Sequence, residues 1–142
     1  MSWKRTLVQM VSVLALASVA MAADGYKIVV NTSNPESSLS KTEVSRLFLK
    51  KATAWADGVK ALPVDLARTS STRRAFSQGV HGKSPNAVAA YWQTQVFSGR
   101  ALPPLVKNSN AEVLAYVKAQ RGAIGYVSAG ASAAGVKVLT VR

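Results

Sequence analysis

The sequence predicts a single α/β domain, a three-layer-like arrangement in which helices pack on a mixed sheet of about four to five strands. Three observations lead to this prediction. Of the 142 residues, 49% are hydrophobic, which is enough for a real core. Strand-like and helix-like segments alternate in the order β-α-β-α-α-α-β-β, and no linker is long enough to separate two cores.

The N-terminus has the features of a targeting signal. Two basic residues precede an apolar run from Leu7 to Ala20, which ends in the cleavage-site frame Ala20-Met21-Ala22, with small residues at its first and third positions. We therefore predict a secretory signal peptide over residues 1–22, cleaved after Ala22, and one domain over residues 23–142. A membrane anchor is the alternative, but the apolar run is shorter than the ~20 residues that cross a bilayer.

The first half of the predicted domain carries a strand, a helix and a second strand. Tyr26 to Val30 is a β-branched run closed by turn-forming residues, which is typical of a strand. Ser40 and Glu43 have the spacing of a capping box and predict a helix over residues 41–51. Residues 59–64 follow an Asp-Gly turn signal and predict a strand, whose proline indicates an edge position or a strand terminus.

The second half predicts three helices and then two strands. A short helix over residues 73–80 follows a polar stretch, and a helix over residues 84–99 opens with a serine cap and a proline. We assign the aromatic stripe of that second helix to the core. Ser109 and Glu112 repeat the capping box for a helix that stops at Gly122. The final strands are predicted at residues 123–127 and 136–141.

Residue types and spacings argue against an enzyme. The chain has no cysteine, and its single histidine, His81, cannot form a histidine cluster. Gly82-Lys83-Ser84 resembles the end of a phosphate-binding loop, but the loop requires a glycine where Ser77 stands. Gly125 lies three residues before Ser128, whereas a nucleophile elbow requires a glycine two residues before its serine. We therefore predict no catalytic residue, no metal and no cofactor.

One segment has the chemistry of an anion site. Arg68, Ser70, Ser71, Thr72 and Arg73 surround a predicted helix N-terminus. Backbone amides without partners, hydroxyl donors and guanidinium groups together favour an oxyanion such as phosphate. The alternative is that the hydroxyl residues only cap the helix while the arginines are solvated.

The chain also resembles a known family. Residues 48–58 (FLKKATAWADG) and 122–127 (GAIGYV), with the Ser/Thr turn between them, are similar to blocks of the phosphate-binding proteins of bacterial phosphate ABC transporters. The resemblance covers nearly all of the chain after residue 22 and extends to the second lobe only. It implies a single periplasmic binding-protein lobe, and inorganic phosphate or another oxyanion as the ligand. An ABC permease or a sensor membrane protein is the implied partner.

The resemblance also places the ligand-binding turn. The family has an arginine, a few residues and then Ser-Gly-Thr at the helix start, so Ser70, Ser71 and Thr72 fall on those positions, with Ser71 replacing the glycine. Leu66 stands at the arginine position, and Arg68 is the nearest substitute. A lone lobe leaves its anion half solvated, so we expect weak binding unless a second subunit, as in a homodimer, completes the cleft.

Two other functions compete with solute binding. The same fold without a ligand would serve as a protein-interaction or sensory module that docks on a membrane partner. The net charge of +12 suggests binding to nucleic acid or an anionic surface, but the basic residues are spread along the whole chain. We therefore expect no specific nucleic-acid partner. The predicted signal peptide and the lack of cysteine favour a periplasmic location, since a bacterial periplasm permits disulfides without requiring them.

Overall fold

A computed structural model describes residues 25–142, and the predicted signal peptide lies outside this range. None of the helices between residues 25 and 142 has the length and apolar character needed to span a membrane. The described chain forms six strands and four α-helices, with a π-helical turn after the second helix. In chain order the elements are β1 Tyr26–Val30, β2 Ser38–Leu39, α1 Lys41–Phe48, β3 Leu62–Leu66, α2 Ser71–Phe76, the π-helical turn Ser77–His81, α3 Pro85–Phe97, β4 Leu105–Lys107, α4 Asn110–Ala119, β5 Ala123–Ser128 and β6 Lys137–Val141.

The strands form one mixed sheet in the order β2-β6-β1-β5-β3-β4. β1 pairs antiparallel with both β5 and β6, whereas β3 runs parallel to β5 and to β4. The mixed α/β sheet is therefore confirmed, but six strands replace the predicted four to five. The two additional strands, β2 and β4, have two and three residues, which is too short for a hydrophobic period to be recognised.

The core lies around the central strands β1, β5 and β3. Val29 and Val30 of β1 and Ile124 of β5 are fully buried, as the β-branched run predicted. Gly125 allows α4 to approach the sheet, because a Cβ at this position would lie 2.7 Å from Val113 and 2.8 Å from Val64. The sheet and α4 are thus in direct contact at the middle of β5.

The predicted starts of α1, α3 and α4 are confirmed, whereas the short helix predicted over residues 73–80 begins two residues earlier, at Ser71, and gives way to the π-helical turn after Phe76. Ser40 and Glu43 form a complete capping box on α1. Ser109 Oγ accepts a hydrogen bond from the Glu112 amide, but the Glu112 carboxylate accepts from the amide of Asn108, so the second box is only half formed. The predicted helix ends are less accurate: α1 ends at Phe48 instead of residue 51.

Two other expectations need correction. The strand predicted over residues 59–64 begins at Leu62, and its proline is the second residue of β3, before the residues that pair with β4. The aromatic stripe of α3 is only partly in the core: Trp92 is buried but Tyr91 is half-buried, and beyond the stripe Phe97 is 92% exposed. The C-terminal half of α3 therefore presents apolar side chains to solvent.

Candidate functional site

The N-terminus of α2 follows directly from the end of β3, and Ser70 is its cap. Ser70 Oγ accepts from the amide of Arg73 at 3.2 Å, and the Ser70 carbonyl accepts from the amide of Arg74 at 3.1 Å. Within residues 25–142 the amides of Ser71 and Thr72 have no acceptor. Such amides at the positive end of a helix are suited to binding an oxyanion.

A second helix N-terminus lies beside the first, and Ser128 at the end of β5 connects the two. Thr72 Oγ1 lies 3.0 Å from Ser128 Oγ, and Asn110 Nδ2 donates to the same oxygen at 3.1 Å. The Ser128 amide in turn donates to Asn110 Oδ1 at 3.2 Å. Because Thr72 belongs to α2 and Asn110 begins α4, the positive ends of two helices lie at one edge of the sheet.

Arg73 points into the protein. Its Nη1 donates to the carbonyl of Leu66 at 2.9 Å, and its Nη2 lies 3.8 Å from Asp65 Oδ2. The Tyr126 hydroxyl donates to Asp65 Oδ1 at 2.7 Å and accepts from the Leu66 amide at 3.1 Å. Burial raises the pKa of Asp65, while the Arg73 charge and the Tyr126 hydrogen bond oppose the shift.

The predicted site residues therefore lie close together, but their side chains differ in exposure to solvent. Ser71 and Arg68 are exposed, Ser70 is half-buried, and Thr72 and Arg73 are buried. Arg68 has no carboxylate partner within residues 25–142, so its charge is not compensated there by an ion pair. Arg73, in contrast, uses part of its guanidinium to neutralise Asp65.

Sequence reasoning missed Ser128 and Asn110. Both were visible as local signals, Ser128 at the end of a predicted strand and Asn110 at the start of a predicted helix. The missing information was the parallel pairing of β3 with β5, which places their carboxyl ends at the same edge of the sheet.

His81 has a different environment from the predicted site residues. Its Nδ1 lies 2.7 Å from Ser45 Oγ, and its ring packs edge-on against Phe76. Burial, followed by the charges of Arg73, Lys83 and Lys51, lowers the pKa of His81 to about 4. Across residues 25–142, no three histidine, aspartate or glutamate side chains are grouped so as to hold a metal ion.

A mixed sheet with helix N-termini at the carboxyl ends of its parallel strands defines the class of α/β ligand-binding domains. The model of the PBP superfamily domain matches residues 9–140, and the chain belongs to this superfamily of periplasmic-binding-protein domains. At the level of the family, this favours a binding protein over an enzyme. A comparison with curated proteins gave no match.

Solved structures share the fold. The chain is similar to an ABC-type phosphate transport receptor from Vibrio cholerae, with 24% identity and a TM-score of 0.66 over 82% of this chain and 46% of that one. The chain is also similar to a putative phosphate ABC transporter substrate-binding protein from Clostridium perfringens, solved with bound phosphate. The identity is 20% and the TM-score 0.67, over 82% of this chain and 44% of that one. The chain thus spans less than half the length of these proteins, which confirms the predicted resemblance to one lobe.

Proposed function

We propose that this chain is a periplasmic solute-binding-like protein that binds phosphate or a similar oxyanion weakly and is related to phosphate ABC transport. The site is the start of α2, with Ser70, Ser71, Thr72, Arg73 and Arg68 as its residues. One observation carries the proposal, the meeting of two helix N-termini at the Thr72–Ser128–Asn110 cluster. The phosphate named for the Clostridium perfringens protein supports the choice of ligand.

Each residue has a distinct role in this proposal. The amides of Ser71 and Thr72 and the hydroxyl of Ser70 donate to the anion. Arg68 is exposed and supplies a mobile charge from solvent, whereas Arg73 is fixed by Leu66 and Asp65 and offers only its remaining N–H groups. Binding is weak because one lobe leaves the anion in contact with water, and a second subunit would strengthen it.

A thermal-shift and calorimetric titration of the full chain with phosphate and sulfate tests the proposal. Binding to the folded state raises its stability, by about 2.7 kcal/mol when the anion is present at about 100 times its Kd. Ser70→Ala should weaken this response, because it removes one of the donors to the anion. Ser84→Ala is the matched control, because Ser84 caps α3 in the same way at a distance from the cluster. Both variants should lose about 1 kcal/mol of stability, but only the first should show a weaker anion response.

A ligand-free interaction or sensory module is the second candidate function. Of the six exposed large apolar side chains in the described residues, five lie between residues 96 and 106, and such clusters mark interaction surfaces. This candidate predicts no stabilisation at millimolar anion, together with a mass that depends on concentration or a membrane partner that co-purifies. An ABC permease, a sensor protein or a second copy of the chain would be that partner.

A further inference from the structure

A cavity of about 340 Å³ lies next to the proposed anion site. It is a half-open cleft between the end of β3, α3 and the chain that leads into β4, and its walls include Asp65, Arg68 and Arg73. This volume is at the lower end of the roughly 300–1,000 Å³ of small-molecule sites, and it is several times larger than an inorganic phosphate needs. The cavity thus has room for a ligand with a larger body.

The charged end of the cavity is positive. Asp65 is already neutralised by Arg73 and receives the Tyr126 hydroxyl, so it leaves little free negative charge. Arg68 lines the same cavity and has no carboxylate partner within the described range. An anionic group at this end of the cavity can therefore contact the Arg68 guanidinium.

The rest of the cavity is apolar. Trp92, Val96, Phe97 and Val106 form its walls together with two prolines. Phe97 is 92% exposed, although an aromatic ring of this size is stabilised by burial. Trp92, in contrast, is only 5% exposed and forms a rigid part of the wall. A bound apolar body would cover Phe97.

We propose that the ligand is an organic oxyanion with a compact apolar body, such as a phosphate monoester, instead of inorganic phosphate alone. The inference rests on the proposed anion site at the start of α2. The phosphate group lies against Arg68, which belongs to that site and lines the cavity, and the apolar body lies against Trp92 and Phe97. The ring of Phe97 then changes from exposed to covered, and that burial adds to the affinity.

Calorimetric titration of the full chain with inorganic phosphate, phenyl phosphate and benzyl alcohol tests this inference. We expect phenyl phosphate to bind about tenfold or more tightly than inorganic phosphate, since a phenyl ring is removed from water, and we expect no saturable binding of benzyl alcohol. Phe97→Ala should reduce the preference for phenyl phosphate to about threefold and leave inorganic phosphate unchanged. Because Phe97 is exposed, this variant should fold, which circular dichroism checks.

The control variant is Val138→Ala, which shortens an exposed apolar side chain on β6 that does not line the cavity. It should keep the full preference for phenyl phosphate. Arg68→Gln should weaken both anions by a similar factor, because both use the same charged end.

The outcomes separate this inference from the function on which it rests. If phosphate binds but phenyl phosphate binds no more tightly, or Phe97→Ala leaves the preference intact, the apolar subsite is wrong and the anion site stands. If neither anion binds, both the apolar subsite and the anion site are wrong. Equal binding of benzyl alcohol and phenyl phosphate would overturn the anionic ligand, and a ligand-free dimer that Phe97→Ala dissociates would assign the apolar surface to self-association.

Discussion

Acidification should destabilise this protein through His81. The imidazole of His81 is largely buried, accepts or donates a hydrogen bond at Ser45 Oγ, and lies near three cationic side chains. These surroundings lower its pKa in the folded state from 6.5 to about 4, while the unfolded chain keeps the ordinary value. Between these two pH values the unfolded state therefore binds a proton that the folded state does not, and the free energy of unfolding falls as the pH falls.

The size of the effect follows from the two pKa values. One pKa unit corresponds to about 1.4 kcal/mol, so lowering the pKa from 6.5 to about 4 corresponds to a loss of about 3 kcal/mol by pH 4. Well above pH 6.5 the imidazole is neutral in both the folded and the unfolded state, so His81 no longer changes the free energy of unfolding. For a small domain with a total stability of about 5–15 kcal/mol, this loss is a substantial fraction.

Urea unfolding of the full chain and of a His81→Asn variant, followed by circular dichroism from pH 7.5 to pH 4.5, measures the effect. The asparagine can keep a hydrogen bond to Ser45 but cannot take up the proton. Other groups titrate in both proteins, so the difference between the two curves isolates His81. A difference that stays constant across this pH range, or an NMR titration that places the His81 pKa at 6.5 or above, would refute the reasoning.

Three further predictions concern the packing beneath the site. Arg73→Met should lower the free energy of unfolding by about 3–5 kcal/mol in urea titrations, because it leaves the buried Asp65 carboxylate without its charge partner, and adding Asp65→Asn should recover part of the loss. Tyr126→Phe should cost about 1–3 kcal/mol in the same assay, since it removes the donor to Asp65 and the acceptor of a buried amide; an unchanged midpoint would contradict that role. Gly125→Ala should cost about 1–3 kcal/mol and lower the Tm through overpacking, whereas Gly130→Ala, with open space around the new methyl group, should leave the Tm nearly unchanged.

Local signals in the sequence predicted most of the fold. Ser40, Ser84 and Ser109 cap helices as their spacings indicated, because capping depends only on residues three or four positions apart. The exposed end of α3 could not be predicted in this way. The same apolar period that buries Val88 and Trp92 continues to Val96, yet Val96 is 48% exposed.

The candidate site was predictable to a similar extent. Ser70, Ser71 and Thr72 stand at a helix start as expected, since that placement is local. The inward turn of Arg73 was not predictable, because its partner Asp65 lies on the preceding strand and is buried only after β3 joins the sheet. The contribution of Ser128 required the pairing of strands far apart in sequence.

The pairing of β1 has a consequence for how the chain folds. Tyr26 to Val30, near the start of the described chain, is held in the middle of the sheet by β5 and β6, near its end. The first strand therefore has no lateral neighbour until residues beyond 122 are available, and closing such a long loop makes the step slow. A chain still being synthesised, or one cut short before β5, lacks both strands that flank β1, so the native sheet forms only after the C-terminal segment has emerged.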